Sequence, residues 1–425
     1  MSEVQTGKNV NLEKVQVRIE NHIDTLSTYT ATPGKGTTRL TYSQEDLLAR
    51  QYIKGKMKEA GLTVHEDGLG NIFGKLEGSL KDAPSVLIGS HFDSVPNGGS
   101  YDGPAGVVAG LEVAALFTEN GLTPKYPLEV IALIEEEGSR FGGGLMGSRG
   151  MVGLLAEEEF KSLRDKDGIT TVEAMEKIGL DPSLPRERDQ QSVKAYLELH
   201  IEQGPILEEK NIPIGVVEAI VGLTQLEVTV KGQAGHAGTT PMDRRSDALV
   251  AAARMIAQFP GLAAAEGEGT VVTTGQLQVY PNGANVIPDQ TVFSVDIRSG
   301  KEEHVQNIIK KVKELADSYR DSGVEITVEQ LLYIQPKEMN KEIVSLLKEK
   351  SSELGSASCP MNSGAGHDAM VFADYTRTGM LFIPSKNGLS HCPEEWSDSR
   401  HIAEAVQILF EAAIELTEAG VRDDS

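Results

Sequence analysis

Three short apolar runs, Ser85 to Gly89, Leu128 to Ile134 and Ala195 to Leu199, each give way abruptly to side chains that bind cations or move protons. Runs of five to seven apolar residues bounded by turn formers are too short for helices and read as buried strands. A helical pattern from Pro104 to Phe117 lies between the first two. In open α/β sheets, ligand sites gather where the carboxyl ends of such strands meet. The chain is therefore predicted to bring together His91, the run Glu135-Glu136-Glu137 and His200. A fourth apolar run, Gly379 to Ile383, precedes His391 and extends the set.

The 425 residues exceed what one hydrophobic core usually holds, so two domains are expected. A helix is predicted from Ser43, an N-cap with Asp46 three residues on, to Ala60, where Gly61 stops it. Extended runs follow at Leu62 to His65 and Asn71 to Leu76. From about Thr224 the pattern changes to strand (Leu226 to Val230), loop (Gly232 to Pro241), helix (Asp247 to Gln258) and strands (Thr270 to Val279, Thr291 to Ile297). A helix (Glu303 to Asp321) and a strand (Val324 to Glu329) complete it. This βαββαβ order matches a ferredoxin-like unit inserted into the first domain. Helix Asn340 to Leu354, strand Gly379 to Ile383 and helix His401 to Ala419 return to that domain. The expected division is 1–222 and 335–425 for an α/β domain with a mixed sheet and flanking helices, and 223–334 for the smaller α+β domain.

The formal net charge of −23 opposes binding to nucleic acid or to an anionic membrane surface, both of them polyanions. No run approaches the ~18 uninterrupted apolar residues of a membrane span. Met1 to Glu20 alternates charged and apolar residues and lacks the core of a secretion signal. The two cysteines, Cys359 and Cys392, form neither a disulfide framework nor a thiolate metal site by their spacing. A soluble protein of the reducing cytoplasm is expected.

The strand ends carry a specific chemistry. A metal-binding histidine needs its second ring nitrogen held by an acceptor, and Asp93, two residues after His91, suits that role. Asn97-Gly98-Gly99-Ser100 offers the tight path that folds Asp102 back beside His91. Three adjacent glutamates at the end of a buried strand repel one another and resist desolvation unless cations or protons compensate. Mixed imidazole and carboxylate donors from four strand-end loops fit zinc, manganese, cobalt or nickel.

These residues fall in runs that carry a resemblance: GSHFDSVPNGGSYDGPAGV, EEEGSRF, LHIEQGP, GHAGTTPM, NVIP followed by DIR, SGAGHD and SKNGLSHCPEEW. In this order, from about Thr38 to Trp396, they resemble the hydantoinase/carbamoylase branch of the di-metal aminoacylase and carboxypeptidase superfamily. The resemblance implies a di-metal peptidase-like catalytic domain interrupted by a dimerisation, or lid, domain. It implies Asp102 as the carboxylate bridging two divalent metal ions, one taking His91 and His200 and the other Glu137 and His391. Glu136 becomes the general base. His236, in Gly235-His236-Ala237-Gly238, is implied to reach the active site of the partner subunit of a homodimer. Gln203, Asn285 and Arg298 are implied substrate contacts, the arginine for a carboxylate. His367-Asp368 is implied to organise a loop near the site.

The implied reaction is hydrolysis of N-carbamoyl-L-amino acids to amino acid, carbon dioxide and ammonia. Allantoate amidohydrolysis is the rival on the same metals and carboxylate clamp. An aminoacylase or dipeptidase, or a catalytically silent ureido-binding protein, stays open behind it.

Overall fold

The computed structural model describes residues 10–267, 269–319 and 323–421. The last two residues of the expected helix Glu303 to Asp321, and the start of the N-terminal stretch, lie outside these. The described residues form two compact units, one comprising 10–218, 339–361 and 367–421, the other 219–338 and 362–366.

In the larger unit the mixed sheet runs, in spatial order, Thr63–Glu66, Ile72–Leu76, Leu128–Leu133, Ser85–His91, Val193–Ile201, Thr378–Ile383 and Ile214–Ile220. The four strands from Leu128–Leu133 to Thr378–Ile383 are parallel, and those outside them are antiparallel. Every residue of Ser85–His91, Leu128–Leu133 and Thr378–Ile383 is buried. This burial on both faces explains why these strands read as unbroken apolar runs rather than as alternation. All four parallel strands present their carboxyl ends along one edge. Strand Ile214–Ile220 falls outside the expected set; its single glutamate, Glu218, is its only exposed residue.

Helix Pro104–Glu119 is buried almost all round and packs tightly on the central strands. A Cβ on Gly106 would stand 2.4 Å from the Leu199 carbonyl oxygen, and one on Gly110 2.9 Å from that of Ile88, so glycine permits the close approach. Helix Gln44–Glu59 starts at Ser43, whose hydroxyl accepts the Asp46 amide at 3.2 Å. Helices Leu12–Ser27, Lys341–Glu353 and Ser399–Thr417 complete the packing around Pro104–Glu119 and the sheet.

In the smaller unit the strands lie in the order Val271–Thr273, Gln290–Ser299, Gly222–Lys231, Glu325–Ile334, all antiparallel, and Leu277–Tyr280 also pairs with Gln290–Ser299. The run Thr270 to Val279 is thus one strand broken in two. The expected helix Asp247 to Gln258 spans Ala248–Ile256, capped by Asp247, and a second helix, Phe259–Glu266, follows with Pro260 in its first turn. Ala248–Glu266 has the length and apolarity of a membrane span. Its residues Ala248, Ala251, Ala252, Met255 and Phe259 belong to the core of this unit, with Val295, Ile308 and Val312.

Candidate metal centre

Each strand-end loop is fixed before its side chains meet. His91 closes its strand, and the turn beyond it is held by Arg39, a fully buried guanidinium that donates to the carbonyls of Phe92 (2.6 Å) and Leu26 (2.8 Å). Burial lowers its pKa to about 10. After Leu133 the chain reverses at Glu135, whose φ of +50° lies in the left-handed region. The Glu135 carboxylate is spent on its own loop, accepting the amides of Arg140 (3.0 Å) and Phe141 (2.7 Å). That reversal aims the amides of Glu136 and Glu137 at Asp93 Oδ1 and Oδ2, at 3.1 and 3.3 Å. Glu136 and Glu137 remain to face the cluster.

The convergence is centred on Asp102. Its Oδ1 lies 3.3 Å from His91 Nε2 and 3.2 Å from His200 Nε2. Its Oδ2 lies 3.3 Å from His391 Nε2, which is itself 3.4 Å from Glu137 Oε1. One carboxylate therefore serves two donor sets, His91–Asp102–His200 and Asp102–Glu137–His391, in each of which the donor atoms lie within 4.8 Å of one another. Glu136 joins a third set with His91 and Glu137, its Oε2 3.8 Å from His91 Nε2.

The hydrogen bonds behind the rings fix what they present. His91 Nδ1 faces the Asp93 carbonyl oxygen at 3.2 Å and His200 Nδ1 faces the Ile201 carbonyl oxygen at 3.0 Å. A carbonyl only accepts, so the proton of each neutral ring sits on Nδ1 and Nε2 turns a lone pair toward a carboxylate. Lone pairs facing lone pairs require a positive charge between them. It is either a second proton on the ring, which burial opposes but the neighbouring carboxylates favour, raising His91 and His200 above the usual imidazole range, or a metal ion shared by ring and carboxylate. Consistent with this, the buried atoms His91 Nε2, His200 Nε2 and Glu137 Oε1 have no hydrogen-bond partner. Nitrogen and carboxylate donors in this ratio fit borderline divalent ions. Asp93, the expected partner of the His91 ring, faces Nδ1 with its backbone carbonyl at 3.2 Å and its carboxylate at 3.5 Å, and the carboxylate also organises the glutamate turn.

The electrostatics follow. Burial would raise Asp102, but His200, His391 and His91 hold it well below the usual carboxylate range. Burial pushes Glu136 well up against the opposition of His91, with Asp368, Glu137 and Asp93 adding. Burial and Asp102 push Glu137 to about 7. Beneath the cluster Glu198, two residues before His200 on the same face of the strand, accepts the Ser90 hydroxyl (2.6 Å) and the Ala369 amide (2.8 Å). The buried His367 ring packs against His200, 4.4 Å between centroids; burial and the charge of His200 hold its pKa well down.

Gln203 also reaches the cluster, its amide donating to Asp102 Oδ2 at 2.7 Å. Its φ of +58° is another left-handed conformation at the site. His236, Asn285 and Arg298 belong to the smaller unit. His236 pairs with Val286 in a two-stranded ribbon, and the Ala237 amide donates to the Asn285 carbonyl oxygen at 3.0 Å, so His236 and Asn285 are neighbours. His236 Nδ1 accepts the Gly238 amide at 3.1 Å, which leaves the ring proton on Nε2 as an outward donor. Arg298 pairs with Leu223 at the other end of the same unit's sheet, eight residues from Gln290, which pairs with Lys231. It contacts Asp296 Oδ1 (3.0 Å) and the Gly364 carbonyl oxygen (3.3 Å). Arg39 and Glu395 are parts of the centre that the motif reading passed over. Neither ends a buried strand, and Glu395 differs from its surroundings in the sequence only by following His391 at four residues.

A profile of Peptidase family M20/M25/M40 matches residues 87–415. An amidase of the hydantoinase/carbamoylase family from Burkholderia multivorans has a similar structure, with a TM-score of 0.87 at 35% identity over 95% of this chain and 98% of that one. The chain belongs to this family, in its hydantoinase/carbamoylase branch. Among its relatives, the N-carbamoyl-L-amino-acid amidohydrolase of Paenarthrobacter aurescens is 43% identical over 94% of this chain and 98% of its own. The allantoate amidohydrolase of Escherichia coli (strain K12) is 39% identical over 92% of this chain and 95% of its own. The M20 peptidase-like fold, with its mixed sheet and flanking helices, agrees with the motif reading.

Proposed function

We propose that the protein hydrolyses the carbamoyl C–N bond of N-carbamoyl-L-amino acids, giving the L-amino acid, carbon dioxide and ammonia. The observation that carries this reading is the division of the two Asp102 oxygens between separate donor sets, with a further carboxylate, Glu136, beside them. His91 and His200 would hold one divalent ion, Glu137 and His391 the other, with Asp102 between; zinc, manganese, cobalt and nickel all suit the donors. Such a pair, when bound, acidifies water and polarises the carbonyl under attack.

Glu137 takes the ligand role because it shares His391 with Asp102. Glu136 is then free to accept the proton of the attacking water and return it to the leaving nitrogen. Gln203 lies against Asp102 and His391, where its amide can meet the carbamoyl group. Arg298 offers a fork of N–H donors to the substrate carboxylate. His236 would stabilise the developing oxyanion through its Nε2 proton. Along a strand, Gln290 to Arg298 spans roughly 27 Å, far more than one small substrate. His236 and Asn285, beyond the Gln290 end, would therefore serve a different centre from Arg298 of the same chain. That arrangement favours a homodimer in which the smaller unit mediates pairing and completes the partner's site.

Carbamoyl amino acids are placed before allantoate because the relatives of that name are the more similar. Turnover of N-carbamoyl-L-methionine and of allantoate by the metal-loaded protein, measured side by side, separates the two. The carbamoyl compound is expected to give the higher kcat/KM; turnover of allantoate alone overturns the assignment.

A further inference from the structure

Glu395 lies outside every donor set yet touches two of them. It is 5% exposed, on the loop after His391. Its Oε1 accepts the amides of Tyr101 (2.9 Å) and Asp102 (3.0 Å). Its Oε2 accepts the Ser390 hydroxyl (2.9 Å) and the His391 amide (3.3 Å). The three amide contacts are donors, so each oxygen of the side chain accepts from one loop. The two loops it joins are distant in the chain, Ser390 lying 288 residues from Asp102. The Ser390 hydroxyl also lies 2.9 Å from Asp102 Oδ2, so its single proton is shared between the two carboxylates.

The neighbouring backbone is shaped around this carboxylate. His391 has a φ of +57°, which a residue with a side chain holds only when its surroundings impose it. The Glu395 Oε2 bond to the His391 amide is one such constraint. On the opposite loop, a Cβ at position 99 would stand 2.1 Å from Glu395 Cδ and Oε1, so Gly99 is the residue that leaves room for the bracket.

We propose that Glu395 is a positioning residue that fixes the distance between the Asp102 loop and the His391 loop, and so builds the second cation site. This rests on the two-site reading above. The asymmetry of the ligands sets the expected consequence. The site of His91 and His200 keeps two rings seated on buried strands without Glu395, whereas the site of Glu137 and His391 depends on a loop histidine that Glu395 holds.

Zinc binding to the chelator-stripped, full-length chain tests this, by titration calorimetry and by elemental analysis after gel filtration. The wild-type chain is expected to take two equivalents. Glu395→Gln, which turns N–H donors toward N–H donors on one oxygen position, is expected to keep one tight equivalent and weaken the other by about 10- to 100-fold, as loss of a ligand's supporting partner commonly does. Gly99→Ala displaces the same carboxylate and is expected to give the same single weakened equivalent, with the double variant no worse than either alone. Two equivalents of wild-type affinity in both single variants, or losses that add in the double variant, overturn the inference. Fewer than two equivalents in the wild-type chain overturns the two-site reading itself.

Discussion

At the scale of single residues, the cluster was legible because strand ends concentrate its side chains. His91, Glu136, Glu137 and His200 follow apolar runs that a sequence displays directly, and the structure gathers them into overlapping donor sets with Asp102 and His391. What supports them was not legible. Glu395 meets Asp102 across 293 positions, and Arg39 meets Phe92 across 53, and neither lies in a periodic pattern. Gly103 shows the same limit: it sits just before the helical pattern that starts at Pro104, and a Cβ there would stand 2.5 Å from the His91 ring at a φ of +79°. Glu136→Gln keeps the shape and removes the proton acceptor. It is expected to lower kcat by about 10²- to 10⁴-fold with both metal equivalents retained, checked by steady-state kinetics beside elemental analysis. Unchanged kcat assigns the base elsewhere.

At the scale of elements, apolar periodicity located most strands and helices but missed what tertiary pairing creates. Strand Ile214–Ile220 contains a glycine and a glutamate and earns its place by pairing with Thr378–Ile383. Helix Phe259–Glu266 falls between the predicted helix Asp247 to Gln258 and the predicted strand from Thr270, where no element was expected. The turn between Thr63–Glu66 and Ile72–Leu76 offers a pH test. Asp67 there accepts the amides of Leu69 and Asn71, both at 2.9 Å, and the Asn71 side chain at 2.8 Å. Burial nevertheless raises its pKa from 3.8 to about 6. The folded chain then holds this proton more tightly than the unfolded one, so the Asp67 contribution to stability falls as pH rises from 3.8 to about 6. Denaturant unfolding of Asp67→Asn across that window is expected to show a shallower loss of stability with rising pH than the wild-type chain. An identical slope contradicts the assignment.

At the scale of the whole molecule, the proposed active centre draws on two chains. Unlike the metal cluster, the roles of His236 and Asn285 were implied by motif resemblance alone, since an exposed histidine in a glycine-rich loop carries no pattern of its own. Subunit mixing tests them. Glu136→Gln and His236→Ala homodimers are each expected to be nearly inactive. After random exchange, half the dimers pair one of each, and one centre in each such dimer is intact, so about a quarter of wild-type activity returns. No recovery, with exchange verified by mass spectrometry, places His236 in its own subunit's site.

The central claim, a carbamoyl hydrolase that works through two cations bridged by Asp102, is tested most directly by titrating a divalent ion into the chelator-stripped protein while following release of ammonia from N-carbamoyl-L-methionine. The account predicts no turnover in the stripped protein and activity that saturates at two equivalents per chain. Full turnover without metal, or saturation at one equivalent, would contradict it.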